Sequence, residues 1–182
     1  MERVSVFIDG ENFLYGIKSI NSFYTDFNFD FTRYINKITK GRKVIDIYYF
    51  IAPLKQDLNP PLYTKQQKLL SRLKKEGVKI VLCKRTKREN INGIPVHKIK
   101  EDDIRLALQM QKDAYENKFD IALLFSGDGD FVPLPEYISE KGKKMEIVYF
   151  EGHTAITLLR VCNFKASVID KKILNKFFYR NS

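Results

Sequence analysis

Short runs of β-branched and aromatic residues recur along this chain, separated by segments with helical spacing. The runs cover residues 4–9, 43–51, 78–83, 120–125 and 145–150, with a strand-like 166–169 near the end. Residues 43–51 are almost continuously apolar, as expected of a strand covered on both faces. Between the runs, 32–40 reads as a helix with Tyr34, Ile35 and Ile38 on one side. Thr64 and Gln67 form a capping box ahead of Leu69, Leu70 and Leu73, and Gly77 ends that helix. A helix over 102–117 turns Ile104, Ala107, Leu108, Ala114 and Tyr115 inward. Others start near Pro133, span 155–161, and occupy about 170–179. This alternation predicts an α/β fold: a mostly parallel sheet with helices on both faces. Right-handed crossovers then bring the loops that follow strands to one edge. Residues 21–31 are aromatic-rich, lack a clear period and take no assignment.

At 182 residues the chain suits one domain, 1–182, with ample core. No apolar run approaches the roughly 18 residues of a membrane span. The start runs straight into a strand, so no secretion signal is expected and the location reads as cytoplasmic. Cys83 and Cys162 lie in apolar surroundings outside any CxxC pair and read as buried thiols of a reducing compartment. Lys and Arg outnumber Asp and Glu by 32 to 22, giving +10. That balance suits a polyanion partner such as a nucleic acid, or reflects a lysine-rich composition with no binding role.

The clearest basic cluster is Lys84, Arg85, Lys87 and Arg88, followed by the turn signal Asn92-Gly93 and by Ile94, Val96 and Ile99. It predicts a basic hairpin over about 83–99. One reading makes the hairpin a docking surface for a phosphate backbone. The other makes it an edge protected by charge.

Three acidic motifs fall at the edge where ligands bind in open α/β sheets. Ile8-Asp9-Gly10-Glu11-Asn12 ends the first strand. Lys100-Glu101-Asp102-Asp103 opens the helix after the hairpin. Ser126-Gly127-Asp128-Gly129-Asp130-Phe131 follows the fourth core strand. Each has an ordinary reading: a turn at Asp9-Gly10, a cap at Asp102 or Asp103, a polar loop at 128–130. Together they predict repelling carboxylates, which a cation would offset. An all-oxygen donor set favours Mg²⁺ or Mn²⁺ over Zn²⁺. Asp9 and Asp128, leaving core strands, are the expected direct ligands, completed by Asp103 and Asp130. Lys100 either contacts a phosphate or is a solvated lysine.

These residues resemble the NYN domain, LabA-like branch, of the PIN-like nuclease superfamily. The likeness rests on Phe7-Ile8-Asp9-Gly10-Glu11-Asn12, on Lys100 with Asp103 and Leu106-Ala107-Leu108, and on the run from Ser126 to Leu134. It spans about residues 3–170. It implies a Rossmann-like (PIN-like) sandwich and a metal-dependent ribonuclease site, with Asp9, Asp103, Asp128 and Asp130 as the acidic set. Asn12 and Ser126 would be supporting or phosphate-side groups. One departure is Gln109, six places after Asp103, where relatives often carry an acid.

Competing chemistries fit less well. His97 and His153 are isolated from each other and from any cysteine pair, which argues against zinc. Ser126 is not in a G-x-S-x-G setting, and the glycines near 128 make no Walker loop. A Toprim-like site also uses D-x-D, but Asp103 favours the first resemblance. The rival function is a non-catalytic nucleic-acid-binding or regulatory protein that retains the acidic site. RNA is the expected partner, and a homodimer is compatible with the sequence.

Overall fold

The central strand of the sheet is the first in the chain. In the computed structural model, which describes residues 1–89, 95–162 and 166–178, β1 (Arg3–Asp9) pairs with β2 (Lys43–Ile51) on one side and β6 (Ile121–Phe125) on the other. β3 (Lys79–Leu82) lies outside β2, and β7 (Lys144–Phe150) and β8 (Ala166–Ile169) lie beyond β6. The order is β3-β2-β1-β6-β7-β8, with every pairing parallel. The fold is α/β and Rossmann-like, as the strand–helix alternation predicts.

Residue alternation sorts the strands onto two layers. Val4, Val6, Ile8, Ile121, Leu123 and Phe125 face one core, with Phe13, Ile17, Tyr34, Leu69, Leu73 and Phe177. Those partners come from α1 (Gly10–Ile20), α2 (Phe31–Ile38), α3 (Pro60–Lys75) and α7 (Lys171–Phe177). Phe7, Tyr48, Ala122 and Leu124 face the second core, with Leu106, Met110, Ile138 and Leu158. α4 (Asp102–Tyr115), α5 (Leu134–Ser139) and α6 (Ile156–Val161) supply these.

The basic segment forms its own two-stranded antiparallel ribbon. β4 (Lys84–Glu89) and β5 (Pro95–Lys100) pair with Lys84 opposite Lys100. The Asn92-Gly93 turn and Ile94 lie outside the described residues. The ribbon follows the carboxyl end of β3 and leads into α4.

Two stretches without an assignment gain structure, and two expectations need correction. α1 went unread because Gly10-Glu11-Asn12 has turn composition, yet Asp9 caps it and Phe13 and Ile17 anchor it one turn apart. Segment 21–31 holds a 3₁₀ turn, Asp26–Asn28, and sends Phe29 and Phe31 into an aromatic nest with Phe13, where the Phe13 and Phe31 ring centroids are 4.6 Å apart. The Thr64–Gln67 capping box does not form. α3 starts earlier, where Asn59 Oδ1 accepts from the Leu62 amide at 3.0 Å, and Thr64 donates back to the Pro60 carbonyl. Finally, α4 is rotated. Leu106, Met110, Asp113 and Ala114 face inward, while Ile104 is 64 % exposed and Leu108 and Tyr115 are exposed as well. Two apolar stripes compete on that helix, and the Leu106–Met110–Ala114 stripe takes the core.

Cys83 and Cys162 are free and buried. Among the described residues no helix is long and apolar enough to cross a membrane.

Candidate metal centre

β1 and β6 are neighbours although the chain visits β2 and β3 between them. Their carboxyl ends therefore form the switch point of the sheet, where a cleft opens. Asp9, the last residue of β1, is only 4 % exposed. Its Oδ1 accepts from the Asn12 amide at 3.0 Å and its Oδ2 from Ser126 Oγ at 3.0 Å. Ser126 Oγ in turn accepts from the Asp128 amide at 3.1 Å, and Asp128 Oδ1 accepts from the Asp130 amide at 3.0 Å. Asn12 Oδ1 accepts from the Gly127 amide at 2.9 Å. The loop after β6 is thus stitched to the first turn of α1. Asp9 and Asp128 cap the helical turns that follow them, where the ordinary reading has a turn and a polar loop, and they line the cleft as well.

Only glycine fits at two points of this frame. A Cβ on Gly127 would lie 2.5 Å from the His153 carbonyl oxygen and 2.7 Å from Thr154 Oγ1. A Cβ on Gly10 would lie 2.6 Å from the Phe50 carbonyl oxygen. Gly127→Ala is expected to destabilise the protein by about 1–3 kcal/mol through overpacking, read as a lowered thermal midpoint.

α4 brings the third motif. Glu101 takes a left-handed conformation (φ 73°) and precedes the helix without a side-chain cap bond. Asp102 and Asp103 are therefore first-turn residues rather than caps. Asp103, Asp128 and Asp130 each offer a carboxylate oxygen within 4.8 Å of the others. Asp9 lines the same cleft with Glu11, Asn12, Tyr15, Asp102, Asp103 and Asp128, behind the tight trio.

At an effective dielectric of 20, two charges about 5 Å apart repel by roughly 3 kcal/mol. Burial pushes the Asp9 carboxyl up to about 7 against the Asn12 amide, with the charge of Asp103 adding to the shift. Burial also pushes Asp103 up to about 6, followed by the fields of Asp102, Asp128 and Asp130. The negative charge of Asp103 thus opposes ionisation of Asp9. Hard oxygens at this spacing suit a divalent cation.

Other predicted residues fall elsewhere. Lys84 Nζ pairs with Glu101 at 3.1 Å, and Glu101 also pairs with Arg105. The side chains of Arg85, Lys87, Arg88 and Lys100 lie outside the described residues. Gln109 donates to Asp113 Oδ1 at 2.9 Å. It sits about 9 Å further along the helix axis than Asp103, so this position belongs to the Asp113–Lys118 network rather than to the cleft. Sequence reading missed Tyr15, Glu11 and Asp102 as lining residues. Tyr15 stands one helical turn after Glu11, a relation visible only once α1 is known.

The family model for the NYN domain matches residues 3–170. Among solved structures, a protein of unknown function, VPA0982 from Vibrio parahaemolyticus RIMD 2210633, superposes with a TM-score of 0.74 at 23% identity, covering 95% of this chain and 96% of that one. It shares the fold. MurG of Acinetobacter baumannii matches at a TM-score of 0.40 and 13% identity, over 92% of this chain and 45% of MurG, too loosely to carry an argument. No curated protein matches.

Proposed function

The chain belongs to the NYN domain family, a nuclease family, and from that premise we propose that it is a divalent-metal-dependent ribonuclease of the LabA-like branch. The observation that carries this reading is the trio Asp103, Asp128 and Asp130, with carboxylate oxygens within 4.8 Å, beside buried Asp9. The branch assignment rests on the run Ser126-Gly127-Asp128-Gly129-Asp130-Phe131. In this reading the whole of 1–182 is one such domain, acting on RNA in the cytoplasm.

Asp103, Asp128 and Asp130 would hold Mg²⁺ or Mn²⁺, with Asp9 reaching the same ion from the floor of the cleft. When bound, such an ion activates water and neutralises charge on the phosphate and leaving oxygen. The chain's own part is positioning. Ser126 and the Asn12 amide fix both oxygens of Asp9. Gly127 lets the loop pass close to His153, and Asn12 ties that loop to α1. These groups hold the carboxylates against their mutual repulsion.

Incubation of labelled RNA pools with Mn²⁺ or Mg²⁺ tests the reading. Cleavage should vanish in EDTA. Equal cleavage by the Asp9→Asn protein would reveal a contaminant. Binding without cleavage under any divalent metal would identify a non-catalytic RNA-binding protein.

The basic ribbon is part of the proposal as a backbone-docking surface. Neutralising Lys84, Arg85, Lys87 and Arg88 together should weaken binding for all sequences alike. Each phosphate contact contributes about 0.7 to the salt slope of a single strand. Lys84 already spends charge on Glu101, so the slope should flatten by about 2 rather than the roughly 3 that four full contacts would give. Fluorescence anisotropy across a salt series measures this, and an unchanged slope moves docking off the ribbon.

A further inference from the structure

Two further clefts continue from the acidic one, on the side of the molecule where α1 and α3 flank the end of β2. The first, of about 190 Å³, shares Glu11 and Tyr15 with the acidic cleft. Its walls include Tyr15, Phe27 and Leu54, and Tyr15 is 54 % exposed. The second, of about 450 Å³, shares Thr25 and Phe27 with the first and is lined by Lys65, Lys68 and Arg72. Lys65 and Lys68 are exposed and lie one turn apart on α3. Arg72 donates to the Phe29 carbonyl at 3.0 Å, so its task is partly structural.

The chemical order along these clefts is carboxylates, then an apolar slot with an exposed aromatic ring, then cations. With a divalent cation on the carboxylates, this order matches the phosphate, base, phosphate repeat of a polynucleotide strand. Asp26 lines the slot and is 2 % exposed. Its Oδ2 accepts from Tyr49 at 2.6 Å, and its Oδ1 has no hydrogen-bond partner among the described residues. Both oxygens are enclosed by the protein, so Asp26 shapes the slot rather than touching a ligand, and Lys18 lines the slot as well. A slot of this size admits a base only if it is unpaired, the usual mode of single-strand recognition on aromatic side chains.

We propose that a single RNA strand leaves the acidic cleft through this slot, seats one unpaired base against Tyr15 and Phe27, and lays its next phosphates on Lys65 and Lys68. The proposal rests on the acidic cleft being the phosphodiester site, and it assigns a surface separate from the basic ribbon.

Binding in millimolar Ca²⁺, which takes oxygen ligands, read before any cleavage product appears, separates the track from catalysis. The probe is a fluorescein-labelled single-stranded RNA of about 12 nucleotides, within the range such sites cover. The double variant Lys65→Ala/Lys68→Ala changes exposed side chains only, and it should flatten the salt slope by about 1.4. Tyr15→Ala should weaken binding about tenfold by loss of stacking, and the single strand should bind more tightly than a blunt duplex of the same sequence. An unchanged slope, wild-type affinity in Tyr15→Ala, equal binding of the duplex, or no binding at all overturns the track. If the binding results hold but Mn²⁺ and Mg²⁺ give no cleavage, the ribonuclease reading falls and the track stands. Cleavage with an unchanged slope sinks the track alone.

Discussion

Asp9→Asn and Asp128→Asn are each expected to lower metal-dependent RNA cleavage by at least about a hundredfold. Losing a group that merely orients a metal ligand costs about 10–100-fold, and these carboxylates are proposed to touch the ion. Asparagine preserves shape at both positions. At 128 it still accepts from the Asp130 amide, and at 9 from the Asn12 amide. Ser126→Ala removes the bond to Asp9 and the one from the Asp128 amide but keeps every carboxylate, so it should fall within the 10–100-fold range. Single-turnover cleavage at saturating metal, with folding checked by thermal unfolding, measures all three. A wild-type rate in both variants would mark a contaminating nuclease, and a wild-type rate in Asp128→Asn alone would remove that residue from the site.

The second large effect is on stability without metal. Asp128→Asn takes one charge from a cluster whose oxygens approach within 4.8 Å. In EDTA it should stabilise the fold by ~1–3 kcal/mol, Coulomb repulsion at this range less solvent screening. With millimolar Mg²⁺ or Mn²⁺ the wild type should gain stability, by about 2.7 kcal/mol at a hundred times the dissociation constant, and the variant should gain less. A variant that melts lower in EDTA, with neither protein responding to metal, would show an ordinary polar loop.

The pH dependence follows the same logic. Asp9 holds its proton to about 7 in the fold, against an ordinary value of 3.8. The folded state therefore binds more protons than the unfolded state between those limits. The metal-free protein is relatively most stable below about pH 4 on this account, and it loses that contribution as pH rises through 7. The gap, at roughly 1.4 kcal/mol per pH unit, is worth about 4 kcal/mol. Half-buried Asp103 adds a smaller part in the same direction. So does Asp26, raised by burial to about 6. Asp26 lies outside the acidic cleft, so metal should cancel the losses at Asp9 and Asp103 and spare the one at Asp26. Thermal midpoints from pH 4 to 8, with and without metal, separate the two.

The parallel sheet could be read from the sequence because each strand is a short apolar run whose identity does not depend on its neighbours. The meeting of Asp9, Asp103 and Asp128 could be read too, since strand ends and one helix start must share an edge. What failed depended on tertiary choice. Gly10-Glu11-Asn12 has turn composition, and it becomes helical because Asp9 caps it and Phe13 and Ile17 find a core. The aromatic segment has no period because Phe29 and Phe31 pack from beside a 3₁₀ turn. On α4 two apolar stripes competed, and packing chose the one through Leu106 and Met110. Gln109 drew attention by its place in the motif, yet helical rise carries it away to Asp113.

The strand order also dictates when the cleft can exist during synthesis. Asp9 and Ser126 touch although 117 residues separate them in the chain. At ~5–20 residues per second, the ribosome needs roughly 6–23 seconds to span that interval. Through that interval β1 can pair with β2, but its other edge stays bare, the kind of edge that invites intermolecular pairing. The nascent chain thus passes through a stage in which it needs shielding and has no closed acidic cleft. The carboxylates are assembled only after the strand from Ile121 to Phe125 docks, so a prematurely terminated product carries the adhesive edge of this fold without its cleft.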